Sequence, residues 1–362
     1  MAVPAPDSPG SMTQTAEPPA AAVPARPAKV RDPFLDNAKF LAIILVVSGH
    51  LIEDLRDVEA ARAVYLWVYM FHMPVFIVIT GYLSRSFTFS SGKARKLITN
   101  LLLPFVIFEL AYSIFNWLAG NGSLRVSLLD PYYLTWFLMA LFAWRLSTPV
   151  WQQVKWPVAV AVVIALLSGT SELPRELELN RVFGLLPFYV LGLFLKPEHL
   201  ELVKRPIARY LGIAVLLGAL VVAALVHRRM NIVWVYWRHS NDFLGVSDLV
   251  GTLMRMGLLL CAMILVFAFL AVVPTGFTWF SSLGSATLYA YLLHGFVVKA
   301  FDYLGWYDLR WLHTELGVAS LWMLGVAISI GFCTNPAKRA FGWAVEPKMP
   351  WFFTPLTKPK RN

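Results

Sequence analysis

The chain has 362 residues, of which 58% are hydrophobic and only 14% charged, with a formal net charge of +10. An ordinary soluble domain is about one quarter charged, so most of this chain does not face water and a single soluble globule is excluded. Nucleic-acid binding is a weak explanation of the positive charge, because the basic residues sort by position relative to apolar blocks rather than forming one patch.

Residues 1–33 come first and differ from the rest. Pro4, Pro6, Pro9, Pro18, Pro19, Pro24 and Pro27 are scattered among Ala, Ser and Thr, with no apolar run to serve as a signal-peptide core. This composition predicts a disordered cytoplasmic tail. From residue 34 onward, apolar blocks of about 16 to 23 residues alternate with short charged loops, which is spanning length at about 1.5 Å per residue. The expected fold is all-α, a polytopic transmembrane helical bundle of about ten spans. They are placed near 37–53, 64–83, 97–118, 131–149, 156–170, 182–196, 207–226, 250–272, 285–304 and 314–333. The transmembrane domain then covers 34–335, and 336–362 form a carboxyl-terminal cytoplasmic tail. The fifth block is short and bracketed by Pro157 and Gly169, so eight to eleven spans fit the pattern.

With a cytoplasmic amino terminus, the inner segments hold Arg26, Lys29, Arg31, Arg85, Lys93, Arg95, Lys96, Lys196, Lys204, Arg205 and Arg209. The outer loops hold most of the acids, among them Glu53, Asp54, Asp57, Glu59, Glu172, Glu176 and Glu178. This asymmetry is the positive-inside bias, and an even number of spans returns the carboxyl terminus to the cytoplasm at a multi-pass cell membrane. Cys261 and Cys333 lie inside apolar blocks, which supports neither a disulfide framework nor a Cys-based metal site.

Ionisable groups inside spans are expensive, so clustered ones point to function. In the first span Asp36, Lys39 and His50 flank an almost wholly apolar run. Lys39 and His50 are eleven residues apart, about three turns plus 20°, so they share a helix face and stand about 16 Å apart along the axis. The alternative makes Lys39 an interfacial anchor and His50 a structural hydrogen-bonding residue. The second span carries His72 beside the helix-perturbing Pro74, whose freed carbonyl needs a partner. The third carries a lone acid, Glu109, and the ninth carries Tyr289, Tyr291, His294 and Lys299. The long outer loop 227–249 mixes Trp234, Tyr236 and Trp237 with Asn and Asp, suiting either an interfacial aromatic belt or a platform for a sugar. Metalloprotease, nucleotide-binding Gly-Lys and Gly-x-Ser-x-Gly patterns are absent, no close His pair suggests a metal, and no internal repeat is evident.

Several segments resemble the acyltransferase-3 family of membrane O-acyltransferases, in particular its branch similar to fucose O-acetylases. They are Arg31 to Phe40 leading to Ser48-Gly49-His50; Phe71-His72-Met73-Pro74 with Gly81-Tyr82-Leu83; Thr135-Trp136-Phe137-Leu138; and Tyr291-Leu292-Leu293-His294. They occur in the family's order. The family hallmark of a basic residue and a His in the first span is matched by Lys39 and His50, with Lys where many members have Arg. Lys keeps the charge but loses the planar fork. The resemblance implies transfer of an acyl group, most often acetyl from acetyl-CoA, to a hydroxyl of a sugar in a glycan, glycolipid or natural product.

On that implication His50 is expected as general base and Lys39 as stabiliser of negative charge. Asp36, Asn37, His72, Glu109, Trp136, Tyr291 and His294 are expected near the substrates, with Arg85, Arg95 and Lys96 receiving the CoA phosphates. The expected partners are acyl-CoA, a sugar acceptor and the bilayer, with no metal and no nucleic acid; the oligomeric state is not legible. The principal rival is a transporter or flippase of a sugar-containing or lipid-linked cargo, in which the same buried polar groups bind cargo or protons.

Overall fold

The computed structural model describes residues 1–3, 32–120, 122–173 and 176–353. Most of the amino-terminal segment expected as a tail, and the last nine residues, lie outside the described residues. Among the described residues the fold is all-helical, with no strand. The helices are α1 (Pro33–Leu51), α2 (Glu59–Tyr69), α3 (His72–Ser84), α4 (Ser91–Leu97), α5 (Leu103–Leu118), α6 (Trp136–Trp151), α7 (Pro157–Leu167) and α8 (Leu179–Gly184). They continue with α9 (Leu186–Phe194), α10 (Pro197–Val203), α11 (Pro206–Val226), α12 (Asp248–Val272), α13 (Thr287–Tyr303), α14 (Glu315–Phe332) and α15 (Asn335–Val345).

Local chemistry sets the helix ends. Asp32 caps α1 by accepting from the Phe34 amide at 3.0 Å, and Pro33 fills the first position, where a missing N–H costs nothing. Ser247 and Thr314 cap α12 and α14 in the same way. Six helical stretches are long and apolar enough to cross a membrane: Pro33–Leu51, Glu59–Ser84, Gly92–Leu118, Pro206–Val226, Asp248–Val272 and Glu315–Phe332. A seventh is the pair α8 and α9, if its 54° bend is counted within one span. The remaining expected spans coincide with helices of 16, 11 and 17 residues, α6, α7 and α13. At about 1.5 Å per residue, α6 and α13 reach only about 24 to 26 Å.

Two breaks interrupt the bundle. Pro74, in the first turn of α3, has no amide to donate to the Met70 carbonyl and its ring crowds that carbonyl, so the expected second span breaks at Met70 and Phe71. Pro187 similarly accompanies the break between α8 and α9. Irregular backbone is tolerated at membrane depth only where it is buried in protein or lines a cavity, and both breaks do so.

α1 runs through the middle of the bundle against α2, α3, α13 and α14. Helices approach closely where small residues meet. Gly325 of α14 lies on Ser48, whose hydroxyl donates to the Trp322 carbonyl at 3.1 Å. Gly81 of α3 and Gly192 of α9 bring two backbones together, so that a Cβ on Gly81 would sit 2.2 Å from the Tyr189 carbonyl oxygen. Gly81→Val is therefore expected to force these helices apart and lower stability by about 1–3 kcal/mol, measured as thermal unfolding in detergent. An unchanged unfolding temperature would contradict the close crossing. α11 fully buries only Gly212 and Ala223, packs Val215, Leu216 and Ala219 part-buried against the core, and exposes most of its other apolar residues, as a lipid-facing helix does.

Candidate active site

The last turn of α1 delivers His50 into a cavity of about 350 Å³. Its walls come from chain segments far apart in sequence. They are Glu53 just past α1; Tyr65, Tyr69, His72, Met73 and Pro74 around the α2–α3 break; and Pro131, Tyr133, Leu134 and Trp136 before and at the start of α6. Glu178, Arg181 and Leu185 around α8, the 233–239 segment, and Tyr291 of α13 complete it.

Behind His50 stands His294, whose Nε2 lies 3.2 Å from His50 Nδ1. The other nitrogen of His294, Nδ1, is 2.9 Å from the Ala290 carbonyl oxygen one turn earlier. A carbonyl only accepts, so His294 Nδ1 carries the hydrogen, and in the neutral ring Nε2 is then a lone-pair acceptor. His50 must therefore donate from Nδ1 to His294, which leaves its own Nε2 without a hydrogen. His72 is tied the same way, Nδ1 donating to the Val68 carbonyl at 2.9 Å across the helix break. Aromatic rings fix the imidazoles laterally, with Tyr69 and Tyr133 edge-on to His50 at centroid distances of 6.0 and 5.7 Å.

A charged group faces these histidines. Arg181 donates Nε to the Tyr236 carbonyl at 3.2 Å, lies over the Trp136 ring at 4.7 Å, and is 3.7 Å from Glu178. Arg238 closes on the other Glu178 oxygen at 2.8 Å. Glu53, beyond the end of α1, is part-buried in the wall. All four non-glycine residues with left-handed backbone among the described residues, Tyr133, Leu177, Glu178 and Trp237, lie at this cavity or next to it. Such backbone costs energy and persists only where surrounding contacts impose it.

Of the residues singled out in the sequence, His50, His72, Trp136 and Tyr291 line the cavity and His294 supports His50. The others lie elsewhere. Lys39 forms an ion pair with Asp36 at 2.7 Å near the opposite end of α1 and does not line the cavity. Asn37 fastens the loop after α12. Its amide donates to the Pro274 and Gly276 carbonyls, both at 2.9 Å, and its oxygen accepts from Thr278 and Ser281 at 3.1 and 2.6 Å. Glu109 accepts from the Tyr132 amide at 2.9 Å and the Thr135 hydroxyl at 2.6 Å, pinning the turn before α6. Arg85 is spent on the Tyr82 and Leu195 carbonyls and on the Tyr82 ring. Arg95 lies over Phe353, and Lys96 is exposed. A second, broader cavity of about 1050 Å³ lies beside the first turn of α13. Tyr289, Lys338, Arg339, Trp343, Lys348 and Trp351 are among its walls.

Sequence reasoning missed Glu53, Tyr133, Glu178, Arg181 and Arg238 as members of one site. Trp234 and Trp237 prove buried, and Tyr236 and Trp237 line the cavity instead of facing lipid.

Outside the membrane, His313 is bonded at both nitrogens, to the Asp57 carboxylate at 2.8 Å and the Tyr307 carbonyl at 2.7 Å. Both partners only accept, so both nitrogens carry hydrogen, and the Tyr307 carbonyl and Asp57 together hold its pKa above the usual value. Tyr307 in turn donates to the Leu51 carbonyl at 3.1 Å, beside His50. A raised histidine pKa gives stabilisation that is full below about pH 6.5 and lost as pH rises through the raised value. Hydrogen exchange in 305–314 is thus expected to accelerate on alkalinisation beyond the intrinsic pH effect, and His313→Gln should remove that excess. An excess that persists in the variant would rule the clamp out.

Comparison with known proteins gives the chain a family. The family model described as an acyltransferase domain matches residues 32–334. The chain is similar to a nodulation protein, NolL, of Mesorhizobium japonicum, 28% identical over 341 residues, covering 83% of this chain and 85% of that protein. It is also similar to the NolL of Sinorhizobium fredii, 31% identical over 192 residues, covering 47% of this chain and 50% of that protein. No solved structure matches. With the family match running across all but the ends of the chain, the protein belongs to the acyltransferase-3 family and is a multi-pass membrane O-acyltransferase.

Proposed function

We propose that the protein is an O-acetyltransferase that moves acetyl from acetyl-CoA to a hydroxyl of a sugar in a glycan, glycolipid or glycosylated metabolite, with His50 as general base. The observation carrying this reading is the hydrogen-bond chain from His50 through His294 to the Ala290 carbonyl, which leaves Nε2 bare on an imidazole that lines the cavity. A sugar hydroxyl is a poor nucleophile, and removal of its proton as it attacks is the help it needs. The cavity suits a sugar: the faces of Tyr69, Trp136 and Tyr236 meet apolar ring surfaces, while Glu53, Glu178, Arg181 and Arg238 bond hydroxyls.

Its walls are the loops read as external, so the acceptor enters from outside. The donor enters from the end holding Lys39, which acts on the donor rather than at His50. The broad cavity with Lys338, Arg339 and Lys348 supplies positive charge on that side for the CoA phosphates. In this topology the chain crosses the bilayer ten times and both termini are cytoplasmic. Purified protein in vesicles, given radiolabelled acetyl-CoA and glycan, is expected to transfer label to the glycan. Uptake of unmodified glycan with no labelled product would instead support the transporter.

A further inference from the structure

Tyr133 lines the cavity and takes no part in the histidine chain. It sits in a turn before α6 with φ 52°, a backbone conformation that side chains other than glycine rarely adopt. The turn is held there from several sides. Glu109 accepts from the Tyr132 amide and Thr135 hydroxyl, Tyr291 donates to the Leu134 carbonyl at 2.5 Å, and the Tyr132 hydroxyl meets that of Tyr303 at 3.1 Å. These contacts hold an unfavourable conformation in which the Tyr133 ring stands edge-on to His50. The hydroxyl so delivered is buried and has no hydrogen-bond partner among the described residues.

A buried hydroxyl without a partner costs stability, and one that a native protein retains calls for an explanation, of which a catalytic role is one. Two phenols nearby are already engaged: Tyr291 by the Leu134 carbonyl, and Tyr65 by Tyr236 at 3.0 Å. The imidazoles of His50 and His72 offer lone pairs, not hydrogens, so Tyr133 supplies what they lack. The Lys299 ammonium lies 5.2 Å from the centre of the phenol ring and favours its role as a donor.

We propose that Tyr133 is a catalytic residue whose phenolic hydrogen bonds the carbonyl oxygen of the acyl group as that oxygen becomes negative. The inference rests on the acyl-transfer reading above. As the acceptor oxygen bonds to the thioester carbon, His50 takes the hydroxyl proton and the carbonyl electron pair moves onto its oxygen, where Tyr133 donates. When the carbon–sulfur bond breaks, that pair re-forms the carbonyl and Tyr133 loses its charged partner. The thiolate leaves as a thiol with the proton that His50 carried.

The test is Tyr133→Phe in the full-length protein, assayed with acetyl-CoA and glycan. Loss of one oxyanion donor should lower kcat about 10²-fold with KM values for both substrates nearly unchanged. The unfolding temperature should stay level or rise, because the deleted hydroxyl bonds nothing. Tyr133→3-fluorotyrosine, which keeps the hydroxyl, should retain activity and shows that the ring position tolerates change. Full activity of the Phe variant, a rise in KM alone, or equal losses in the two variants would overturn the proposal. If His50→Ala is dead while Tyr133→Phe is fully active, only this inference fails; if His50→Ala is active, the functional reading itself fails.

Discussion

Replacing His50 by Ala is expected to reduce acyl transfer by about 10²–10⁴-fold, the range that a positioned general base contributes, while the protein remains folded in detergent. The expectation follows from hydrogen-bond direction rather than from proximity. His50 Nδ1 is committed to His294, so its Nε2 is the nitrogen free to accept a proton, and the ring lies in the cavity wall where a hydroxyl can reach it. His50→Gln keeps a side chain of similar reach that cannot take a proton, and should be as inactive as the Ala variant. Either variant retaining more than about a tenth of the activity would remove His50 from the chemistry, since even weak general-base catalysis contributes more than that.

His294 is expected to matter nearly as much without touching substrate. His294→Leu removes the side chain that accepts from His50 Nδ1 and holds its ring, and should lower kcat by about 10²-fold. His294→Gln can still present an amide oxygen to His50 Nδ1 and should recover most of that loss. A purely structural role for His294 would show instead as equal losses in the two variants, tracking thermal stability. Steady-state kinetics beside thermal unfolding separates the two cases.

The features of this architecture legible in the sequence were those where polar residues interrupt apolar runs. His50, His72 and His294 stood out because an imidazole in a span is costly, and the structure brings all three to one region. The same signal flagged Glu109, and the resemblance added Asn37, yet both spend their hydrogen bonds on fastening loops, and cost alone does not distinguish the two uses. Lys39 shares a helix with His50, but a shared face does not bring side chains three turns apart into one cavity. Tyr133 and Arg181 were invisible for the opposite reason. They lie between or at the edges of apolar blocks, where a polar residue costs nothing, and only the tertiary fold carries them to His50. Apolarity likewise revealed the helical blocks and Pro74 marked the second as perturbed, but neither foretold that α6 and α13 would be short.

The tethering of imidazole Nδ1 atoms to helix carbonyls has a consequence for turnover. A cavity whose histidines present lone pairs holds a guest best when that guest brings an O–H of its own. Esterification replaces that hydrogen with an acyl group, so the finished ester forfeits the bond to His50 that held its precursor. In the proposed reaction, departure of the acylated product is thereby favoured over rebinding, with no change of shape required.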